Sequence, residues 1–192
     1  MKRLKLIVST AILGGLLIGC TEEVKKDPHV ELDNALKAFE YASKMERNVA
    51  KRNYDGAIEE LDNIAKIYKS GMFSFGSGKF SSKEHDEKAL IAMEELFSAV
   101  RVLRSQVRQM KTKRVTKEQK AQYQVNVEQL LNTLPKIALA HYDKKSAFYV
   151  APPRAKLQAM RNKLRALSYR SPDQTKFAAG QMIASINKLL RG

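Results

Sequence analysis

The chain has 192 residues, a formal net charge of +15 at pH 7, one cysteine and no tryptophan. A single cysteine excludes an intramolecular disulfide, and the abundance of alanine, leucine, lysine, glutamine and arginine, all good helix formers, argues against a strand-rich fold. Charge is unevenly distributed, because residues 21–100 carry 16 acidic and 12 basic side chains, whereas residues 101–192 carry 4 acidic and 20 basic ones. This division predicts either an anionic partner or an internal match between the two halves.

The first 20 residues have the pattern of an export signal. Three positive charges open the chain, at Lys2, Arg3 and Lys5. The 14 residues from 6 to 19 carry no charge, a stretch shorter than the roughly 20 residues that span a bilayer but suited to a signal peptide. It ends at Leu17-Ile18-Gly19-Cys20, which resembles the lipobox of bacterial lipoprotein precursors. The alternative interpretations are an ordinary secretory signal with a chance cysteine, or a core helix.

The lipoprotein resemblance implies a location and a domain plan. In that class the chain is cleaved between Gly19 and Cys20, and Cys20 is acylated with fatty acids such as palmitate. Two or more acyl chains give a stable membrane anchor. The residue after the acylated cysteine is Thr21, whereas lipoproteins kept in the inner membrane usually have an aspartate there. The resemblance therefore implies sorting to the outer membrane, facing the periplasm, in a Gram-negative host. The plan has three parts: a signal peptide at residues 1–19, the acylated cysteine with a short polar tether at 20–28, and a single α-helical domain at 29–192.

The start of the domain predicts two amphipathic helices. Apolar residues recur every three or four positions between Pro28 and Lys51, as on one face of a helix. They are Leu32, Ala35, Phe39, Ala42 and Met45. A second helix is predicted from Tyr54 to Lys69. Residues 53–61 faintly resemble the second helix of a tetratricopeptide repeat, but no copy recurs at the period of about 34 residues, so we expect a plain helical hairpin.

Residues 70–82 interrupt the helical pattern with three glycines, which break helices. The segment also contains three phenylalanines, Phe73, Phe75 and Phe80. Two interpretations are open. Either the rings pack back on the bundle as a lid, or they form a contact loop for a partner or for lipid, because loops on a rigid scaffold often carry function.

Two long helices follow. Residues 81–84 and 116–119 each fit a capping box, in which two side chains satisfy free amides at a helix start. The first helix is predicted to end near Lys113. Both helices carry apolar residues at alternating spacings of three and four, a heptad pattern typical of coiled coils, so the pair predicts an antiparallel hairpin. Pro135 should kink or restart the second arm, which we expect to end at residues 151–153.

Two further helices complete the pattern. One is predicted from Arg154 to Tyr169, after which Ser171 and Pro172 suit a cap and a first-turn proline for the last helix. The last helix carries four large apolar residues, Phe177, Ile183, Ile186 and Leu190. No alternating strand pattern appears. We therefore predict an all-α fold, an antiparallel bundle of about five to six helices with a long central heptad hairpin.

Motifs for catalysis or cofactor binding are lacking in the sequence. The three histidines, His29, His85 and His141, do not form the Glu-x-x-His pairs of di-iron bundles. There is no covalent haem motif, phosphate-binding glycine loop or metalloprotease motif. We expect neither enzymatic activity nor a cofactor. Haem held without a covalent bond by His141 and a methionine is a remote alternative.

Basic residues fall into three groups that suit an anionic partner. A ridge beside the apolar seam comprises Arg101, Arg104, Arg108 and Lys111. The hairpin tip adds Lys113 and Arg114, and the fifth helix adds Arg161, Lys163 and Arg165. Two interpretations stay open: solvated faces that complement helix ends and the acidic half, or docking sites for lipid headgroups, an anionic envelope polymer or an acidic protein. Nucleic acid fits the charge but not the export signal.

The sequence therefore predicts a non-enzymatic, membrane-anchored envelope lipoprotein that binds or scaffolds another envelope component through basic helix faces. In outline it resembles the small helical lipoproteins that assist secretion-system assembly. An alternative is an immunity or exclusion lipoprotein that acts against a toxin or a transfer apparatus. No feature of the sequence indicates the oligomeric state.

Overall fold

The computed structural model describes residues 29–73, 87–146 and 149–192. These residues form six α-helices and one 3₁₀ turn, with no strand among them. The helices are α1 Val30–Ala50, α2 Tyr54–Phe73, α3 Glu87–Thr112, α4 Lys117–Leu139, α5 Arg154–Ser168 and α6 Asp173–Arg191, and the 3₁₀ turn is Ala140–Tyr142. The predicted all-α bundle is confirmed. No helix in the described ranges is long and apolar enough to cross a bilayer.

The first four helices form a ring in which each packs against the next, and α4 closes the ring against α1. The last two helices pack on each other and on the side of the ring that α1 and α4 form. Three short links, residues 51–53, 113–116 and 169–172, come together at one end of the bundle, where side chains from all three line a common cavity. We call this the link end. The N-terminus of α1 lies at the opposite end, about 30 Å along the helix.

Side chains at the predicted apolar positions fill one continuous core. All the positions predicted on α1 are buried, namely Leu32, Ala35, Phe39, Ala42 and Met45. The buried seam of α3 consists of Met93, Leu96, Val100, Leu103, Val107 and Met110. The buried seam of α4 includes Tyr123, Val127, Leu130, Leu134 and Ile137. Burial of each large apolar side chain stabilises the fold by about 1.5–3 kcal/mol, so these seams hold the ring together.

The link between α3 and α4 contains the capping box that the sequence predicts. The backbone N–H of Gln119 donates to Thr116 Oγ1 at 3.2 Å, and the backbone N–H of Thr116 donates to Gln119 Oε1 at 3.0 Å. Both amides would otherwise lack a partner at the helix start. Lys136 Nζ, late in α4, contacts Glu95 Oε2, early in α3, at 2.9 Å, so the two helices run in opposite directions.

The link between α1 and α2 takes only three residues. Arg52 has a φ of 60°, a left-handed conformation that costs a non-glycine residue about 1–2 kcal/mol. The neighbouring Asn53 offsets this cost. Its backbone N–H donates to Asn48 O at 2.8 Å, and its Oδ1 accepts from the backbone N–H of Gly56 at 3.2 Å. One asparagine therefore contributes both to the end of α1 and to the start of α2.

Two helix ends differ from the prediction. α2 continues beyond Lys69 to Phe73, because a glycine near a helix end costs only about 1 kcal/mol. α4 passes through Pro135 without a restart and ends at Leu139, not near residue 150. Residues 143–146 after the 3₁₀ turn form an irregular turn, in which Asp143 accepts hydrogen bonds from the amides of Lys145 and Ser146. The capping box predicted at residues 81–84 lies outside the described residues.

The start of α6 also corrects the prediction. The helix begins at Asp173 after Pro172, and the Ser171 hydroxyl does not cap it but donates to Leu167 O at 2.8 Å. The side chain of Phe177 is 57 % exposed, not part of the core. Ile186 is buried as predicted, and the rest of the core face of α6 is formed by Thr175, Ala178, Ala179 and Met182. The positions of the large apolar residues therefore predict the wrong inward face for the first turn of α6.

Candidate anion-binding surfaces

Several predicted site residues lie outside the described residues. These are Gly19 and Cys20 of the predicted lipobox and Phe75 and Phe80 of the predicted contact loop. Phe73 is the last residue of α2, so its backbone is helical rather than irregular, and its side chain lies outside the description. Both interpretations of the phenylalanine segment, lid and contact loop, stay predictions.

The ridge on α3 is half occupied by internal ion pairs. Arg104 Nε lies 3.1 Å from Asp62 Oδ1, as an ion pair rather than an aligned hydrogen bond. Lys111 Nζ donates to both carboxylate oxygens of Asp55, at 2.7 and 2.8 Å. Both acidic partners lie on α2, which packs beside α3. These two ion pairs join the basic half of the chain to the acidic half, which is one of the two interpretations that the charge distribution left open.

The other two ridge residues face solvent. Arg101 and Arg108 are exposed, and neither forms an ion pair with the residues that the structure describes. They flank Ser105 around a shallow depression. Two guanidinium groups one or two turns apart on an open helix face suit bidentate contacts with phosphate or carboxylate groups.

A second basic surface lies on α5. This helix contains no acidic residue, and its predicted contacts Lys163 and Arg165 are exposed with no ion pair among the described residues. Other cations of α5 are partly engaged within the fold. Lys156 Nζ contacts Asp33 Oδ2 at 3.0 Å, Arg154 donates to Leu190 O at 2.8 Å, and Arg161 donates to Asn187 Oδ1 at 3.4 Å.

The fold places these two surfaces on different parts of the bundle. α3 packs mainly against α2 and α4, whereas α5 packs mainly against α6 and α1. The predicted site residues therefore do not form one patch. We call Arg101 and Arg108, which lie two turns apart on one side of their helix, the α3 face. We call the solvent-exposed side of α5 the α5 face, with Lys163 at one edge and Arg165 at the other, because residues two positions apart on a helix point to opposite flanks.

A third basic feature is a cavity of about 850 Å³ at the link end. It combines predicted residues of α3 and the hairpin tip with cations from α1 and its link. The basic residues that line it are Arg47, Arg52, Lys111, Lys113, Arg114 and Lys120. Arg47 and Arg52 are not predicted by the charge pattern along single helices, because they join the group only where distant links meet.

Glu46, which is half-buried, and Tyr123, which is buried, add polar groups to the wall of this cavity. Glu46 Oε2 accepts hydrogen bonds from the hydroxyl and from the backbone N–H of Thr175, the latter at 3.1 Å. The α1 carboxylate thus caps α6, the role that the sequence assigned to Ser171. Burial raises the pKa of the Glu46 carboxyl above its ordinary value, although the hydrogen bonds from Thr175 oppose this shift.

Tyr123 is only 6 % exposed, and its hydroxyl has no hydrogen-bond partner in the described protein. Burial, and secondly the charge of Glu46, raise the pKa of the Tyr123 phenol far above its ordinary value. The hydroxyl therefore keeps its proton and can donate a hydrogen bond. A buried hydroxyl without a partner is uncommon in folded proteins.

The described histidines are engaged within the fold. His29 Nδ1 lies 2.9 Å from Tyr142 Oη, and the two rings stack with centroids 5.9 Å apart. His141 is buried in the 3₁₀ turn. Within the described ranges, no three His, Cys, Asp or Glu side chains are grouped so as to hold a metal ion.

Comparison with known proteins adds no relative. No family model, curated protein or solved structure matches this chain.

Proposed function

We propose that this chain is a lipid-anchored envelope protein whose helical bundle binds an anionic envelope component through its basic faces, without catalysing a reaction. The observation that carries the proposal is the unpaired charge of the α5 face. Lys163 and Arg165 are exposed on a helix that has no acidic residue. Cations without an internal partner raise the local concentration of anions and accelerate their association.

The α3 face supports the same proposal. Arg101 and Arg108 point away from the core seam of α3 and are exposed, while the neighbouring Arg104 and Lys111 are held by α2. An anionic partner that covers either face would find charged groups ready to bind, because none of the ion pairs among the described residues involves them.

The anchor is proposed from the sequence. The Leu17-Ile18-Gly19-Cys20 lipobox follows a charged and then apolar leader, and a diacylated cysteine is enough for stable membrane attachment. A short polar tether of residues 21–27 reaches about 25 Å when extended, which would hold the bundle near the bilayer surface.

Binding of an anionic polymer tests the basic faces. The full chain, purified in uncharged detergent, is passed over immobilised polyphosphate at increasing salt. Wild type should bind, and its affinity should fall steeply with salt. Lys163→Glu together with Arg165→Glu should weaken binding at least about tenfold, since each basic residue near an anionic surface contributes about 1 kcal/mol.

The matched control reverses the same number of charges elsewhere. Lys66 and Lys69 are exposed on α2, a helix with several acidic residues, and their replacement by glutamate should change binding far less. Equal losses in the two double variants would mean that only net charge matters, and the α5 face would then have no special role. No binding by wild type would remove the proposal of basic faces altogether.

Fatty-acid labelling tests the anchor. Cells that express the full chain should incorporate labelled palmitate into it, and Cys20→Ser should abolish the label. Retention of the label in Cys20→Ser, or its absence from wild type, would contradict the proposed lipidation.

A further inference from the structure

The link-end cavity has features that an open basic face lacks. Its volume of about 850 Å³ falls within the range of small-molecule sites, roughly 300–1,000 Å³. Three separate links and the ends of α1, α3 and α4 contribute to it. A helix face can only contact one side of a ligand, whereas a half-open cavity of this size can contact several sides of one.

Cations dominate the charged part of the lining. Arg47, Arg52, Lys113, Arg114 and Lys120 are exposed at its surface, and the contacts that the structure gives them leave their charges without an acidic partner in the described protein. Lys111 is the exception, since Asp55 holds it. Guanidinium groups from two different links can form bidentate hydrogen bonds to one phosphate.

Tyr123 is a polar residue in the wall of the cavity. Its side chain is more than nine-tenths buried, and its hydroxyl oxygen is covered and has no partner among the described residues, as is also true of the Tyr68 hydroxyl in the core. Leaving such a group unsatisfied destabilises the fold. A ligand oxygen that displaces the groups covering this hydroxyl would accept its proton and remove that penalty.

The rest of the wall is suited to an apolar group. Val49, Met110 and Val115 line the cavity beside the cations. Glu46, which would repel an anion, is turned to Thr175 and caps α6. The cavity therefore combines cations and an apolar wall, with one covered hydroxyl donor in a side chain of that wall.

We infer that the link-end cavity binds a phosphate ester that carries an apolar group, with Arg52 and Arg114 on the phosphate and Tyr123 donating to one of its oxygens. This inference deepens the proposed binding of anionic envelope components, on which it rests, by assigning one ligand class to one site. The same chemistry occurs in the headgroup region of an anionic phospholipid and in a soluble phosphate ester.

The test uses phenyl phosphate as the probe and the full chain in uncharged detergent. Isothermal titration calorimetry should show saturable binding of phenyl phosphate to wild type and much weaker binding of inorganic phosphate or phenol alone. Arg52→Glu with Arg114→Glu should weaken binding at least tenfold, whereas Lys66→Glu with Lys69→Glu should leave it within about twofold. Absence of saturable binding, or equal binding by both double variants, would overturn the inference.

Tyr123→Phe keeps the ring in the core and removes only the hydroxyl. It should weaken phenyl phosphate binding about tenfold, the usual size of a hydrogen bond to a charged group, while the melting temperature is unchanged or rises. Unchanged affinity in Tyr123→Phe would refute the assigned role of the hydroxyl. Lys163→Glu with Arg165→Glu should bind phenyl phosphate normally, so a failure of the cavity and a failure of the α5 face are separable.

Nanodiscs separate the two sources of the ligand. If the cavity takes a lipid headgroup, phosphatidylglycerol nanodiscs should compete and raise the apparent Kd for phenyl phosphate relative to phosphatidylcholine nanodiscs. An equal Kd in both would assign the site to a soluble phosphate ester.

Discussion

The two basic helices of this protein use their charge differently. On α3, Arg104 and Lys111 are drawn into ion pairs with Asp62 and Asp55 of α2. On α5, Lys156 pairs with Asp33 of α1, but Lys163 and Arg165 form no ion pair within the described part of the chain, and their own helix has no acidic residue. The same residue types therefore stabilise packing in one place and stay available in the other. A cation on either helix is paired where an acidic residue of the neighbouring helix lies within reach, as Asp62, Asp55 and Asp33 do, whereas Lys163 and Arg165 are exposed.

A core substitution on α3 should have the largest effect on stability. Together with its control, it compares the buried side of the helix with the exposed ridge. Leu103 is fully buried, so Leu103→Ala should lower the free energy of unfolding by about 2–5 kcal/mol through lost contacts and a cavity. Urea denaturation followed by circular dichroism measures this change. Arg101→Ala, on the exposed side, is the matched control and should change stability by less than about 0.5 kcal/mol.

The Glu46 cap should give the next largest effect, because it replaces the local cap that α6 lacks. Glu46→Ala leaves the Thr175 amide and hydroxyl without their acceptor, which should lower the free energy of unfolding by about 1–3 kcal/mol. Glu46→Gln keeps an acceptor and should cost less. If Ala and Gln destabilise equally, the hydrogen bonds to Thr175 do not support α6.

The same carboxyl predicts a pH dependence of defined sign. Because burial raises the folded-state pKa of Glu46 above 4.5, the folded state holds this proton more tightly than the unfolded state does. The contribution of Glu46 to stability is therefore fully present below pH 4.5 and falls as the pH rises through the folded-state pKa. The free energy of unfolding of wild type minus that of Glu46→Gln isolates this trend from that of other groups. This difference should fall as the pH rises, and a difference that rises with pH would contradict the prediction.

The smallest effect concerns the ion pair between Arg104 and Asp62, which tests the contrast between α3 and α5 directly. A double-mutant cycle with Arg104→Gln and Asp62→Asn should give a coupling energy of about 0.2–1 kcal/mol, as is usual for exposed pairs. The cycle of Arg165→Gln with Asp62→Asn should give none, since these residues do not pair. A coupling energy of zero between Arg104 and Asp62 would mean that this ion pair does not stabilise the fold, and the contrast between Arg104 and the cations of the α5 face would then be wrong.

Helix registers were predictable from the sequence wherever the apolar pattern was regular. Leu96, Val100 and Leu103 are buried as their spacing predicts, since a periodic stripe needs no knowledge of its neighbour. The end of α4 and the inward face of the first turn of α6 were not predictable from the sequence. Both depend on tertiary contacts, as when Glu46 of α1 caps α6.

The candidate sites follow the same division. The sequence predicts that Arg101, Arg104, Arg108 and Lys111 share one face of α3. It does not predict that α2 neutralises two of them. Nor does it predict the link-end cavity, because Arg52 and Arg114 are separated by 62 positions in the chain and meet only when the links converge.

Site-specific crosslinking in living cells tests the central proposal, that the unpaired α5 face contacts an anionic envelope component. A photocrosslinking residue replaces exposed Asn162, which adjoins Lys163 and leaves the cations intact; the control replaces exposed Lys66 on α2. The account predicts an adduct from position 162, none from position 66, and loss of the first when Lys163→Glu and Arg165→Glu are added. No adduct at position 162, or an adduct that survives the charge reversal, would contradict it.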